Sequence, residues 1–231
     1  MCGCNRWTPG FKQNVVASRV HTTQALAQLI QKSKHPRPKV FASISGVGFY
    51  PPSEDKEYTE QSEGGHGDFL AELCRDWEAA GDLKSVEDVR RVVIRSGVVL
   101  GKGGGLINQM YWPFFFGLGG PVGPGHQYLP WIHLEDLTSL FAFAISQPQV
   151  AGVLNGVAPE VVTSRQFAKT LGKAMCRPAL LPMPARVMDL LLHPERASMV
   201  TKGQKVLPSR TLELGFKFQY PELLEACRAC L

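Results

Sequence analysis

Cys227 and Cys230 stand in a C-x-x-C near the end of the chain, the spacing of a redox dithiol or of half a zinc site. No second Cys/His pair is placed to close a zinc site, so the two read as positions on a terminal helix near its frayed end, and no metal centre is expected. His133 and Asp136 could act as acid and base, although Asp136 is equally placed to favour the positive end of a helix that follows it. Gly46-x-Gly48 and Gly101-x-Gly103 each supply part of a phosphate-binding turn. Neither completes the G-x-G-x-x-G fingerprint, and both read as turn glycines.

Composition narrows the classes around these residues. The chain has 231 residues, and its 25 Lys and Arg against 20 Asp and Glu give a net charge of +5. The basic residues are spread along the sequence rather than gathered in a stripe, so nucleic acid is not an expected partner. Pro113, Gly117 and Pro148 interrupt the longest apolar runs, and no membrane span is expected. Six cysteines follow no regular framework and no secretory h-region precedes them, which points to a reducing, intracellular compartment. The cytoplasm is the first expectation, with mitochondrion and nucleus left open.

The elements that must hold any site follow from periodicity. Apolar residues from Asn14 to Lys32 recur at helical spacing and stop at the proline-rich stretch Lys34-His35-Pro36-Arg37-Pro38. Lys39 to Ser45 reads as a buried strand, followed by a long polar loop that opens at Gly46 and Gly48. Asp68 is a credible N-cap for a helix that ends at Gly81. A strand over Arg91–Leu100, centred on Val92-Val93-Ile94, precedes an aromatic helix over Leu106–Phe116; then come a strand over Tyr128–Ile132, a helix over Glu135–Gln147 and a short strand ending near Asn155. Such alternation marks βαβ units and a parallel sheet. Beyond Val157, Thr163 and Gln166 have capping-box spacing. Pro178, Pro182, Pro184 and Pro194 then punctuate short helices, and Pro221 is expected at the first position of the last one.

Four stretches now carry a resemblance. Phe41-Ala42-Ser43-Ile44-Ser45-Gly46-Val47-Gly48-Phe49-Tyr50, the run from Asp68 to Glu78, Arg95-Ser96-Gly97-Val98-Val99-Leu100-Gly101, and Trp131-Ile132-His133-Leu134-Glu135-Asp136-Leu137 occur in one order and register. Together they resemble the epimerase-like extended short-chain dehydrogenases/reductases, in the subfamily once labelled cell-division-inhibitor-like, as a vertebrate member. The tail, from Gly203-Gln204-Lys205 to Tyr220-Pro221, is similar to that subfamily's own C-terminal domain.

The resemblance implies an α/β fold, a Rossmann-type doubly wound parallel sheet, with residues 1–156 in the NAD(P)-binding domain and 157–231 in a small α+β substrate lobe. It also implies an NADP(H)-dependent oxidoreductase or epimerase-family activity on an unknown small molecule. By the same resemblance the N-terminal βαβ units and their Gly-rich turn have no counterpart here, so Met1 is expected to fall inside the nucleotide-binding domain. The class uses a Tyr, with a Lys four residues later, to move the proton. Here those positions fall at Phe69 or Leu70 and at Leu73 or Cys74. Ser45 stands where the class places the serine that holds the substrate oxygen, or it fills a small site. Tyr50 is a candidate substitute acid, or a packing residue beside Pro51. Arg19 matches a position associated with the dinucleotide, where a guanidinium can grip a phosphate, or it lies on a solvated helix face. Val99, after a strand whose carboxyl end should meet the cofactor, is the other expected cofactor contact, or a core valine. The lost Tyr/Lys pair also admits a non-catalytic, dinucleotide-sensing or interaction protein.

Overall fold

The computed structural model describes residues 8–34, 36–84, 86–181 and 202–231. It opens with Thr8 capping α1 (Pro9–Val16), where proline takes the first helical position and the Thr8 hydroxyl accepts the Phe11 N–H. The helix therefore begins five residues before the apolar pattern, because the cap and proline set its start. It runs through a π turn, Ala17–His21, into α2 (Thr22–Lys32). The expected stop after Lys32 is met.

β1 (Val40–Gly46) pairs in parallel with β3 (Arg90–Ser96), and β3 pairs in parallel with β6 (Gly152–Gly156). β2 (Glu57–Tyr58) lies in the loop after β1, and α3 (Phe69–Ala80) crosses from β1 to β3, capped by Asp68 as expected. β3 ends at Ser96, so the single strand expected to Leu100 is two, broken at Gly97, and β4 (Val98–Leu100) turns away to pair with β5 (Trp131–His133). Gly97 is required at this break: a Cβ there would stand 2.7 Å from the Pro130 carbonyl oxygen. α4 (Gly105–Phe115) and α5 (Leu134–Ser146) flank β5. α6 (Ser164–Ala174), with the capping box of Thr163 and Gln166, β7 (Lys205–Val206, paired with β2), α7 (Ser209–Glu213) and α8 (Leu223–Cys230) complete the described residues.

Strand periodicity distributes the core over both faces of the sheet. Val40, Ala42 and Ile44 pack with Val92 and Ile94 against Leu137, Leu140 and Ala144 of α5, whereas Phe41 joins Ala27 and Ile30 of α2 on the other side. A sheet covered on both faces is the doubly wound arrangement. Another core cluster joins Leu100, Ile107, Phe114 and Trp131 to Phe167, Leu171, Leu223 and Cys227, so apolar packing runs across position 157.

Three sequence expectations change. Cys227 and Cys230 are buried core residues rather than positions in a frayed end, and burial pushes the Cys227 thiol up to about 12. Pro221 precedes the N-cap Glu222 instead of opening α8, because the Glu160 carboxylate reaches in to accept the Leu223 N–H from outside the helix. Tyr128 belongs to an isolated bridge with Thr163, and β5 starts only at Trp131. Pro182, Pro184 and Pro194 lie outside the described residues, as do Cys2 and Cys4. Among the described residues no helix is long and apolar enough to cross a membrane.

Candidate functional site

The carboxyl ends of β1 and β3 open into a cleft of about 580 Å³. This is the end of a parallel sheet at which ligands bind, because the strands diverge there into separate loops. Ser45 and Gly46 bring β1 to its floor, and Ser96, Gly97 and Val98 bring the end of β3 and the start of β4. Leu70, Leu73, Cys74 and Trp77 form one wall from α3, spaced so that a single helix face meets the cleft. Phe11, Asn14 and Val15 of α1, with Ser18 and Arg19 of the π turn, form a lip that packs on α3 through Arg19 and Trp77. Leu129, Pro130, Lys202 and Gln204 arrive from the far side.

Ser45 and Arg19 are therefore brought to one cleft. Alternation along β1 puts Ser45 on the face of Phe41, toward α3 rather than α5. It is 3% exposed, and its Oγ makes no well-formed hydrogen bond. Cys74 lies beside it, its Sγ 3.6 Å from where a Cβ on Gly46 would stand; burial pushes that thiol up to about 11, so it is no nucleophile at neutral pH. The Arg19 guanidinium lies over the Trp77 ring, 5.4 Å from its centre, and Trp77 in turn donates its indole N–H to Thr23 at 2.9 Å. A planar cation held on an aromatic face is oriented before any ligand comes. π turns recur at functional sites, and this one places Arg19 in the lip.

Tyr50 borders the cleft, but its hydroxyl belongs to a buried network. It accepts from Arg95 at 2.9 Å and faces Asn155 Oδ1 at 2.8 Å and the Thr59 carbonyl at 3.0 Å. Burial raises its pKa although Arg95 opposes the shift. Arg95, 4% exposed, grips Glu78 of α3 with two bonds of 2.8 Å and stacks 3.4 Å from the centre of the Phe49 ring. Asn155 passes the network to the C-terminal residues: its side chain donates to the Leu207 carbonyl, and Glu60 binds both its N–H and that of Arg210. Val99 packs against the core cluster around Ile132, while Val98, one residue earlier and so on the opposite face, lines the cleft.

His133 and Asp136 lie outside the cleft lining. The His133 ring accepts the Glu135 N–H and stands 4.0 Å from Tyr220, with burial holding its pKa below the ordinary value. Asp136 accepts the backbone N–H groups of Gln219 at 2.6 Å and Tyr220 at 3.0 Å. The pair fastens the C-terminal segment to α5. No group of His, Cys, Asp and Glu among the described residues could hold a metal ion.

Sequence reading gave Arg95 no role; its signal was a charge directly after the apolar run Val92-Val93-Ile94 within one strand, and such a residue is buried with a partner or the strand is misplaced. Lys202 gave no signal, and Gln204 stood out only as part of the C-terminal resemblance, with no role at the cleft. Gln204 reaches the cleft by donating to the carbonyls of Val47 and Tyr50, more than 150 residues away in the chain.

A serine at a strand end and an oriented arginine, lining one cleft at the carboxyl edge of a doubly wound parallel sheet, fit a protein of the dinucleotide-binding, short-chain dehydrogenase/reductase type. Comparison with known proteins makes this specific. Human epimerase family protein SDR39U1 is 47% identical over 218 residues, covering 94% of this chain and 74% of the human protein, and the bovine protein of the same name is 48% identical over 219 residues. This chain belongs to the SDR39U1 epimerase family. The crystal structure of human SDR39U1 (isoform 2) with NADPH superposes with a TM-score of 0.94 at 45% identity, covering 98% of this chain and 76% of that one. Residues 183–230 also match a family described as a domain of unknown function, DUF1731.

One consequence for stability follows from Ser45. A buried hydroxyl without a well-formed bond costs desolvation energy, so Ser45→Ala is expected to melt at the same temperature or higher, by about 2–4 °C for each kcal/mol recovered. A fall of several degrees in a thermal melt would show that the hydroxyl carries a structural bond.

Proposed function

We propose that this chain holds the reactive end of NADP(H) in its cleft and belongs to an oxidoreductase of the epimerase family acting on a small molecule. One observation carries the reading: Ser45 at the strand end and the Arg19 guanidinium held on Trp77 line the same cleft. The NADPH in the human SDR39U1 crystal structure supports it. Bound NADPH supplies hydride chemistry. Arg19 offers a planar pair of donors to a phosphate of the dinucleotide. Val98, Leu129 and Pro130 give an apolar wall that excludes water, and Ser45 lies at the floor, where the class places the serine that holds a substrate oxygen.

The test is calorimetry on the longest natural product that contains this chain. NADPH is expected to bind more tightly than NADH, and Arg19→Ala to weaken NADPH at least tenfold, since a charge-assisted bond contributes about 1.5–3 kcal/mol. Unchanged affinity in the variant would return Arg19 to the helix surface.

A second reading has its own support. The only residues of the expected Tyr/Lys register that face the cleft as an i, i+4 pair are Leu70 and Cys74, and neither can pass a proton there. This favours a protein that senses the dinucleotide without catalysis. Loss of acid–base help removes roughly 100- to 10,000-fold in rate, so slow NADPH consumption in a carbonyl screen is expected under the first reading, and none under the second. Ordinary turnover, indifferent to Ser45→Ala, would remove the role given to Ser45.

A further inference from the structure

α4 gives Ile107 and Phe114 to the core and turns a row of rings outward. Trp112, Phe115 and Phe116 are 59%, 41% and 68% exposed. With Tyr111 they form one cluster, Trp112 stacked on Phe116 and Tyr111 on Phe115. Beside α4 lies α6, whose Phe167, Ala168 and Leu171 meet Ile107 and Phe114 in the same core. Away from that core α6 carries Arg165, Lys169 and Lys173, all exposed, at four-residue spacing, which keeps them within an arc of about 80°. Arg177 joins the two helices: it donates to the Phe115 carbonyl at 3.1 Å and lies over the Phe115 ring.

Basic residues dispersed in the sequence are thus gathered by the fold. Residues 101–134 and 161–181 contain Lys102, Arg165, Lys169, Lys173 and Arg177 and no Asp or Glu. Acidic groups come to these stretches from other elements: Glu54 pairs with His126, and α8, packed on α6, carries Glu222 and Glu225 with Arg228. Among the described residues neither Lys169 nor Lys173 is drawn into an ion pair.

We propose that this face of α4 and α6 docks on an anionic lipid surface. Exposed aromatic side chains settle at the headgroup level of a bilayer, and lysines and arginines beside them are drawn to anionic headgroups. The contact lies on the membrane and does not cross it. Two other occupants fit less well. The three exposed rings offer on the order of 300 Å², whereas a stable pairing of two copies needs about 800 Å² from each. A single-stranded nucleic acid needs ring faces on which bases can stack, and here the rings stack on one another. The proposal does not depend on the cofactor reading, because none of these residues lines the cleft.

The experiment is vesicle flotation of the longest natural product that contains this chain, with phosphatidylcholine vesicles made with and without phosphatidylserine. Retention is expected on the anionic vesicles, falling as salt is raised, and little on the neutral ones. Lys169→Ala with Lys173→Ala should weaken binding roughly 25-fold, about fivefold for each charge. Trp112→Ala with Phe116→Ala should weaken it at least tenfold. All four positions are exposed, so both double variants should melt with the parent. The parent's tryptophan emission should shift to the blue on anionic vesicles, and Trp112→Phe, which keeps a ring, should bind while losing most of that shift. Retention that is absent, equal on neutral vesicles or indifferent to either double variant would overturn the proposal. So would tighter capture by a single-stranded oligonucleotide, or self-association that Phe116→Ala abolishes without vesicle binding. Trp112 already shielded from acrylamide before vesicles are added would also overturn it, and would assign the face to residues 182–201, which leave Leu181 where its N–H donates to the Gly119 carbonyl.

Discussion

Arg95→Ala is expected to cost about 3–5 kcal/mol, because it leaves Glu78 as an uncompensated charge in a buried site. The pair is 5% and 13% exposed at the side chains, and the geometry is a bidentate fork. The same guanidinium also supplies the bond to Tyr50 and covers the Phe49 ring, so truncation opens a void as well. Arg95→Lys should recover little, since an ammonium cannot reproduce the fork and the third bond together. Glu78→Gln keeps the volume and removes the charge, and should do less damage than Arg95→Ala. Urea denaturation of the three variants checks the order. A loss below about 1 kcal/mol for Arg95→Ala would mean that water reaches the pair and screens it.

The second large effect is expected at Asp136, which is 1% exposed and spends both oxygens on consecutive backbone amides. Asp136→Ala strands two N–H groups and should cost about 3 kcal/mol or more; Asp136→Asn keeps one acceptor and should cost roughly half as much. The loss is local in its first appearance. Hydrogen exchange should show the amides of Gln219 and Tyr220 losing protection before the sheet does. If those two amides stayed protected in Asp136→Ala, the segment would be held by its ring contacts with His133 and not by the carboxylate.

These two sites differ in how far the sequence disclosed them. Strands β1 and β3 were legible because apolar β-branched runs bounded by glycine and proline leave little choice, and α3 and α6 because Asp68 and the Thr163/Gln166 box are caps with a local mechanism. Ser45 and Arg19 were legible as candidates through the register of four motifs. The Arg95 network was not, since Glu78, Tyr50 and Asn155 meet it only after both crossovers of the sheet, β1 to β3 and β3 to β6, have been made. The break at Gly97 was missed for a related reason: an apolar run through Val98 and Leu100 looks continuous until Pro130 approaches the glycine from β5's side. Asp136 was legible as an acidic residue at a helix start, but its partners lie 83 and 84 residues later.

The π turn at Ala17–His21 acts as a phase shift in a continuous rod. A π turn is an α-helical turn lengthened by one residue, and each residue of an α-helix advances the side chains by about 100°. Phe11 and Val15 of α1 line the cleft, and Thr23 and Ala27 of α2 are buried. In an unbroken α-helix Thr23 would stand about 80° round the axis from Val15. The added residue takes back about 100° of rotation, so Thr23 and Ala27 return to roughly the bearing of Phe11 and Val15, and one stripe of the rod serves the cleft and then the core. Deleting Ala17, which does not line the cleft, keeps Ser18 and Arg19 in the chain and turns the two halves of the rod out of step.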